Sequence, residues 1–488
     1  MKLRTLLKTT VLCSMISGAG AYALTPAASK GLADAGAAVA PLSSAGVAVA
    51  LPSLSAAPES PAAPQEPWHH SFDGALTGSM TLGHTALASS RSTETFFLLE
   101  LHGSRRSPKE RIPAHLSLVL DRSGSMEGVR WRSALEAAVG ALNLLVDGDT
   151  FSLVSFGDTA TVEIPPTTLD PGTRKQAEQQ IRKLRLGGDT CVSCGLEASR
   201  PLLATTPGKL QRMILLSDGE TNMGQIAPPA LQSLAGKVRD GGATLATVGL
   251  GASYNEKVMT LLAVAGNGTA YDVASEPALA KVFEAEAVGL QSVVASDASL
   301  ELELGEGVEL ARVYERAFRR EGSRLIVPLG SVRQGERKVV LVSLKVPAGS
   351  SRQVAQTRIK FRDLTANAEG LIEAPLSVVR GEESSVLLPD VVRWALGTQT
   401  SEAIASANMA FSRGNFAEAL RQIDAQLVLL RAEARRIEKF KDAKATEALR
   451  SQIEKAEKAR AGYKAPPSPS SARMMKSIYH GARIDAAF

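Results

Sequence analysis

The sequence LSLVLDRSGSM, residues 116–126, indicates how this chain is organised. A mostly apolar run ends at Asp121, and Ser123 and Ser125 follow at alternate positions on a predicted turn. An apolar run with little polar alternation predicts a strand that is covered on both faces of a sheet. Parallel strands of α/β folds present their functional groups at their carboxyl ends. The sequence therefore predicts a ligand site at this turn.

Strand and helix patterns alternate from residue 111 to residue 294, which predicts a mostly parallel sheet with helices on both faces. Between residues 295 and 385 the apolar residues alternate with period two, as in an antiparallel β-sandwich. The expected fold class is thus a Rossmann-like α/β domain, followed by an antiparallel β-sandwich domain and a C-terminal α-helical hairpin.

Residues 1–23 have the features of a secretory signal: three basic residues precede an apolar run, and Ala21-Tyr22-Ala23 forms a cleavage site. The formal charge of +5 falls to +2 without these three charges, so the body of the chain has no electrostatic footprint for nucleic acid. Residues 24–67 are rich in Ala and Pro and are predicted to be a disordered linker. We expect an exported protein with no transmembrane segment after cleavage, located in the periplasm, at the cell surface or in the medium.

Residues 68–110 form a β segment in which Thr95–Leu101 is the clearest strand. The later β domain lacks an obvious first strand. We therefore expect this strand to complete that sheet, so that the α/β domain is an insertion. The alternative is that the same strand flanks the α/β domain.

Residues 386–462 are predicted to form a helical hairpin or coiled-coil region, because apolar residues after Asn415 alternate at spacings of four and three. This seam either packs on its own domain or allows self-association. Residues 463–488, which begin with a Pro- and Ser-rich stretch, are predicted to be a flexible tail.

Two further polar positions are expected at the same edge of the sheet as the serine turn. Thr190 follows a Gly-Gly loop, and Asp218 follows the predicted strand Met213–Ser217. Two carboxylates and three hydroxyls form an oxygen-only set, which suits Mg²⁺ or Mn²⁺ rather than Zn²⁺. Such a set fills only part of an octahedron, so an external oxygen ligand can complete it.

These positions resemble the metal-ion-dependent adhesion site of von Willebrand factor type A (VWA) domains, and the resemblance extends over residues 114–290. It implies a metal site formed by Asp121, Ser123, Ser125, Thr190 and Asp218. It also implies that the hydroxyls bind Mg²⁺ (or Mn²⁺ or Ca²⁺) directly and that the aspartates bind directly or through water. A Glu or Asp carboxylate of a partner protein would then complete the coordination.

Cys191 and Cys194 follow the threonine as C-x-x-C. A redox-active dithiol at a helix start is one interpretation. A short structural disulfide that stiffens the loop is favoured, because no thioredoxin-like pattern surrounds the pair.

The preferred hypothesis is an exported, non-enzymatic binding, adhesion or scaffolding protein that coordinates an acidic residue of a partner. No phosphate loop or nucleophile elbow is present in the sequence. The alternatives are an envelope enzyme, using C-x-x-C redox chemistry or metal-assisted hydrolysis, and a self-assembly module that uses the same metal site.

Overall fold

The computed structural model describes residues 67–109, 111–251, 254–273, 275–464 and 468–485. The predicted secretory signal and nearly all of the predicted linker lie outside these residues. The described chain begins with four strands: β1 (His69–Phe72), β2 (Leu76–Leu82), β3 (Ala86–Ala88) and β4 (Thr93–Gly103). Within the described residues, no helix combines the length and hydropathy needed to cross a membrane.

An α/β domain follows. Its elements are β5 (Ala114–Asp121), a 3₁₀ turn (Gly124–Met126), α1 (Val129–Leu144), β6 (Thr150–Phe156), β7 (Ala160–Thr168), α2 (Pro171–Lys183), α3 (Val192–Ala204), β8 (Leu210–Ser217), α4 (Pro228–Asp240), β9 (Ala243–Leu250), α5 (Glu256–Ala265), β10 (Ala270–Val273) and α6 (Glu276–Gly289). The sheet order is β10-β9-β8-β5-β6-β7, and all neighbours are parallel except β6 and β7.

The central strands of this sheet are buried on both faces, which explains their uninterrupted apolar sequences. Every residue of β5 is buried. Leu118 and Leu120 belong to a core shared with α1, α2 and α6, whereas Val119 points into a second core with α3, α4 and α5. The helices therefore cover both faces and leave the carboxyl ends of the strands as the open edge.

A second group of strands follows the α/β domain: β11 (Val293–Leu304), β12 (Glu309–Val313), β13 (Arg319–Glu321), β14 (Arg324–Arg333), β15 (Arg337–Val346), β16 (Gln353–Asp363), β17 (Ala368–Ser377) and β18 (Val379–Gly381). They form two five-stranded sheets, β1-β2-β4-β15-β12 and β13-β14-β11-β16-β17, while β18 pairs with β3. The two five-stranded sheets share one apolar core and thus form a sandwich.

The first sheet contains strands from both sides of the α/β domain. β4 and β15 pair antiparallel from Thr93 opposite Val346 to His102 opposite Arg337. The α/β domain therefore lies within the sequence of the sandwich, between two strands of one sheet. This is the pairing that the sequence analysis favoured for Thr95–Leu101.

The C-terminal region is a four-helix array and not a single hairpin: α7 (Pro389–Ser412), α8 (Phe416–Glu438), α9 (Ala443–Gly462) and α10 (Pro469–Asp485). Its core includes Phe96 and Leu98 of β4, so the helices cover the outer face of the first sheet. The predicted seam of α8, including Ile423 and Leu430, is buried in this core. These seam residues thus pack within the chain, whereas Phe416 at the start of α8 is 40% exposed.

The prediction of a flexible tail over residues 463–488 is wrong for α10. Met475, Tyr479 and Ala482 are buried against α7 and α9. Their spacing of four and three residues places them on one helical face. Few apolar residues lie on this face and a Pro- and Ser-rich stretch precedes it, which is why the sequence analysis overlooked the helix.

A buried ion pair joins the α/β domain to the sandwich. The carboxylate of Glu286 in α6 accepts hydrogen bonds from Arg212 of β8 at 2.7 Å and from the Tyr271 hydroxyl at 2.5 Å. Arg333 of β14 lies 3.6 Å from the same carboxylate. A fully buried charge requires such partners, so this group fixes the two domains against each other.

Candidate metal site

Adjacent strands bring the two predicted aspartates together. β5 and β8 pair in parallel, with Leu120 opposite Leu216, so that Asp121 and Asp218 end neighbouring strands at the same edge. Both residues are fully buried. The structure therefore places two carboxylates side by side at the open edge of the sheet, as the sequence predicted.

The predicted hydroxyls converge on the same point. The Ser125 hydroxyl donates to Oδ1 of Asp218 at 2.6 Å, and its oxygen lies 3.0 Å from the Ser123 hydroxyl oxygen. A Cβ atom at Gly219 would lie 3.5 Å from both Ser125 Oγ and Thr190 Oγ1. Asp121, Ser123, Ser125, Thr190 and Asp218 thus form one hydroxyl–carboxylate cluster.

Hydrogen bonds to the neighbouring loops hold Thr190 in this cluster. Its backbone N–H donates to the Asn222 side chain at 2.9 Å, and its carbonyl accepts from the Asn222 N–H at 3.1 Å and from the Thr221 hydroxyl at 3.2 Å. Two residues earlier, the Gly188 carbonyl accepts from Gly124 of the serine turn. The three loops of the cluster are therefore joined to one another.

Cys191 and Cys194 form a disulfide at the start of α3, directly after Thr190. Cys191 is fully buried. Gly224 packs against this disulfide, because a Cβ atom at that position would lie 2.5 Å from the Cys191 sulfur. The Gln225 N–H donates to the Ser193 hydroxyl at 2.9 Å. The disulfide segment thus supports the loop that carries Asn222.

The negative charges of Asp121 and Asp218 are compensated by different groups. Oδ2 of Asp218 accepts from the Arg130 guanidinium at 2.7 Å. Asp121 accepts only from neutral groups, the Ser123 N–H at 2.9 Å and the Ser217 hydroxyl at 2.6 Å, and has no ion pair among the described residues. Burial raises the pKa of Asp121; the two serines oppose this shift, and the charge of Asp218 adds to it.

This arrangement fits a divalent cation. A hydroxyl that donates its proton to a carboxylate keeps its oxygen lone pairs for another partner, and Ser125 does so. Asp121 is a buried carboxylate without an ion pair in the part of the chain that the structure describes, and a bound cation would compensate its negative charge. The donors are all oxygens, as Mg²⁺, Mn²⁺ and Ca²⁺ prefer. Among the described residues, no group of three or more His, Cys, Asp and Glu side chains is arranged to hold a metal, and this cluster combines two carboxylates with hydroxyls instead.

Comparison with known proteins identifies this domain. Residues 115–285 match the sequence profile of the von Willebrand factor type A domain. A solved von Willebrand factor type A protein from Catenulispora acidiphila has the same fold, with a TM-score of 0.63 at 18% identity over 78% of this chain and 89% of that one. The chain contains a von Willebrand factor type A domain. The predicted fold class is thereby confirmed.

The curated relatives that this chain matches are distant. An uncharacterized Synechocystis protein is 25% identical over 281 residues, which are 54% of this chain and 66% of that protein. The uncharacterized protein YfbK of Escherichia coli is 26% identical over 216 residues, 43% of this chain and 37% of that protein. The chain thus spans less than two thirds of either relative. VWA domains commonly mediate protein–protein interaction or adhesion and commonly carry a metal-ion-dependent adhesion site.

Three residues that bond to this cluster or its loops were not found by sequence reasoning: Arg130, Ser217 and Asn222. Ser217 directly precedes Asp218, and its hydroxyl could have been considered as a second donor at the strand end. The contacts of Arg130 and Asn222 depend on how α1 and the loop after β8 fold back, and no local pattern indicates this.

The VWA domain also contains a buried hydroxyl–imidazole network at the opposite edge of the sheet. Nδ1 of His115 lies 2.7 Å from the Thr206 hydroxyl, and Nε2 lies 2.9 Å from the Ser152 hydroxyl, which in turn donates to Ser117. His115 has no solvent exposure. Burial, aided by the Lys209 charge, lowers the pKa of His115 to about 4. This imidazole is therefore a core residue of the VWA domain.

The lowered pKa of His115 predicts an acid-dependent loss of stability. Between about pH 6.5 and pH 4 the unfolded chain takes up a proton that the folded chain excludes, so stability falls as pH falls. Each such histidine contributes at most about 1.4 kcal/mol per pH unit. His84, whose pKa burial also lowers to about 4, adds to this slope. We expect His115→Gln to flatten the pH dependence of the thermal midpoint across this range. The exposed His69→Gln is the matched control, and an unchanged slope in His115→Gln would contradict the assignment.

Proposed function

We propose that this chain is an exported, non-enzymatic protein that binds a partner protein through a divalent cation held by the hydroxyl–carboxylate cluster. One observation carries the proposal: three loops bring three hydroxyls and two buried carboxylates together, and the Ser125 hydroxyl donates a hydrogen bond to Asp218. Packing of the apolar core does not require hydroxyl and carboxylate oxygens from separate loops to meet at the open edge of the sheet. A bound cation is the function that explains their convergence.

The residues of the cluster have distinct roles in this proposal. Ser123, Ser125 and Thr190 supply neutral oxygens, while Asp121 and Asp218 supply the negative charge. Asp218 accepts a hydrogen bond from the Ser125 hydroxyl and Asp121 accepts one from the Ser217 hydroxyl. These oxygens would hold Mg²⁺, Mn²⁺ or Ca²⁺, and the bound ion would accept a carboxylate oxygen of the partner. Neutral ligands leave more of the ionic charge uncompensated, which favours an anionic partner group. Ser125 is exposed, so the cluster is accessible from solvent.

Apolar side chains around the cluster support a protein partner. Val129, Met223 and Ile226 are 52%, 40% and 54% exposed. Val129 begins the helix after the serine turn, and the N–H of Met223 bonds to the Thr190 carbonyl at 3.4 Å. Exposed apolar residues that form one patch with polar groups at its margin mark protein interaction sites. We call these three exposed side chains the rim of the cluster. The partner we propose presents a Glu or Asp to the cation and apolar residues to this rim.

The disulfide supports the proposed export, since such bonds persist in oxidising compartments. Cys191 is fully buried and Gly224 packs against its sulfur, which favours a structural role over redox catalysis. Beside the cluster, the described residues include no histidine or free cysteine that could act as base or nucleophile. These observations favour binding over the enzymatic alternatives.

Metal binding is tested by titration calorimetry of the full chain with Mg²⁺. We expect one site, loss of binding in Asp121→Ala, and at least about a tenfold weaker affinity in Thr190→Ala because one ligand oxygen is removed. Asp240→Ala is the control, since Asp240 lies exposed at the end of α4. Circular dichroism checks that each variant is folded. An absence of Mg²⁺ binding, or equal binding in Asp121→Ala, would refute the proposal.

Partner binding is tested by crosslinking the full chain to envelope proteins of its source cells in Mg²⁺ and in EDTA. We expect crosslinked products in Mg²⁺ that disappear in EDTA and weaken in Ile226→Ser, because this change removes apolar contact area from the rim. Val428→Ser, on the exposed face of α8, is the matched control. Products that persist in EDTA would show that the cation does not mediate the contact.

A further inference from the structure

Arg130 provides a second cation at the cluster. Its Nη1 donates to Asp218 Oδ2 at 2.7 Å and to the Ser125 carbonyl at 3.0 Å. The same Asp218 accepts the Ser125 hydroxyl on its other oxygen. Both oxygens of Asp218 are thus engaged, one by a cluster hydroxyl and one by a guanidinium.

The two ends of this ion pair differ in their environment. The Asp218 side chain is fully buried, whereas that of Arg130 is 38% exposed. Arg130 is the second residue of α1, and its guanidinium passes beside Gly251, where a Cβ atom would lie 3.6 Å from Nη2. The carboxylate therefore lies within the buried edge of the sheet, while part of the Arg130 side chain faces solvent.

The charge balance of the cluster follows from this pair. Two carboxylates and one guanidinium leave one net negative charge, where the carboxylates alone would leave two. The attraction between a divalent cation and the cluster scales with this charge. Arg130 therefore weakens the field that a cation experiences, and it also satisfies Asp218 when no cation is bound.

We propose that Arg130 competes with the divalent cation for Asp218 and so raises the cation concentration at which the cluster fills. The inference rests on the proposed metal binding and adds its regulation: the site responds to changes in cation concentration instead of staying permanently loaded. A guanidinium suits this role because it remains charged at every physiological pH. Arg130 is a positioning residue for Asp218 in the free protein and an electrostatic competitor in the loaded one.

The test compares Arg130→Gln, Arg130→Lys and wild type by Mg²⁺ titration of the full chain. We expect Arg130→Gln to bind Mg²⁺ at least about fivefold more tightly, because the opposing charge is gone. The gain should shrink at high NaCl concentration, since salt screens a partly exposed charge. Arg130→Lys keeps the charge and should remain within about twofold of wild type. Arg132→Gln, exposed on the same helix, is the matched control.

Thermal unfolding is a second readout, and its first measurement is made without a cation. In EDTA we expect Arg130→Gln to unfold at a lower temperature than wild type, because Asp218 loses its counter-ion. Saturating Mg²⁺ should then raise its midpoint more than that of wild type. A purely structural Arg130 would give the first effect without the second.

The outcomes separate this inference from the proposed function. If wild type binds Mg²⁺ and Arg130→Gln binds equally or more weakly, the competition is refuted and the metal site stands. If only Arg130→Gln binds, the competition is supported and a metal-dependent role for the wild-type chain is refuted. If neither binds, both proposals are refuted.

Discussion

Two carboxylates buried at the ends of adjacent strands are the constraint on which the open edge of the α/β sheet depends. An ionised carboxylate in a protein interior costs several kcal/mol unless it is paired and hydrogen-bonded. Asp218 has Arg130 and Ser125, but Asp121 has only the Ser123 N–H and the Ser217 hydroxyl. Asp121 therefore lacks a positively charged partner among the described residues. We interpret the position beside it as the place where a divalent cation binds.

The rest of the fold holds this edge in a fixed position. The pairing of β4 with β15 encloses the α/β domain between two strands of the sandwich, and the buried Glu286 joins the domains through Arg212 and Arg333. The C-terminal helices cover the outer face of the same sheet. At the edge itself, the α10 residue Lys476 stacks over Tyr254, with its Nζ 4.1 Å from the ring centroid. Movement of the cluster relative to the sandwich would therefore require breaking buried contacts.

The sequence was informative where burial is complete and local. Both faces of β5 are buried, so its sequence is almost uninterrupted apolar residues and predicts a strand. Parallel strands bring their carboxyl ends to one edge of the sheet. The sequence therefore predicted that Asp121 and Asp218 lie together. The sequence was less informative where a contact depends on a distant segment. Arg130 shows no pattern that predicts its pairing with Asp218, and Met475 and Tyr479 on α10 are too sparse an apolar face to distinguish a packed helix from a tail.

The most direct measurement is anomalous diffraction from crystals of the full chain grown with Mn²⁺ in place of Mg²⁺. Our account predicts one strong peak at the open edge of the sheet, at about 2.1 Å from the hydroxyl oxygens of Ser123, Ser125 and Thr190, the distance that small octahedral cations require. A cluster that stays without a peak at saturating Mn²⁺, or a peak that appears only at other residues, would contradict it.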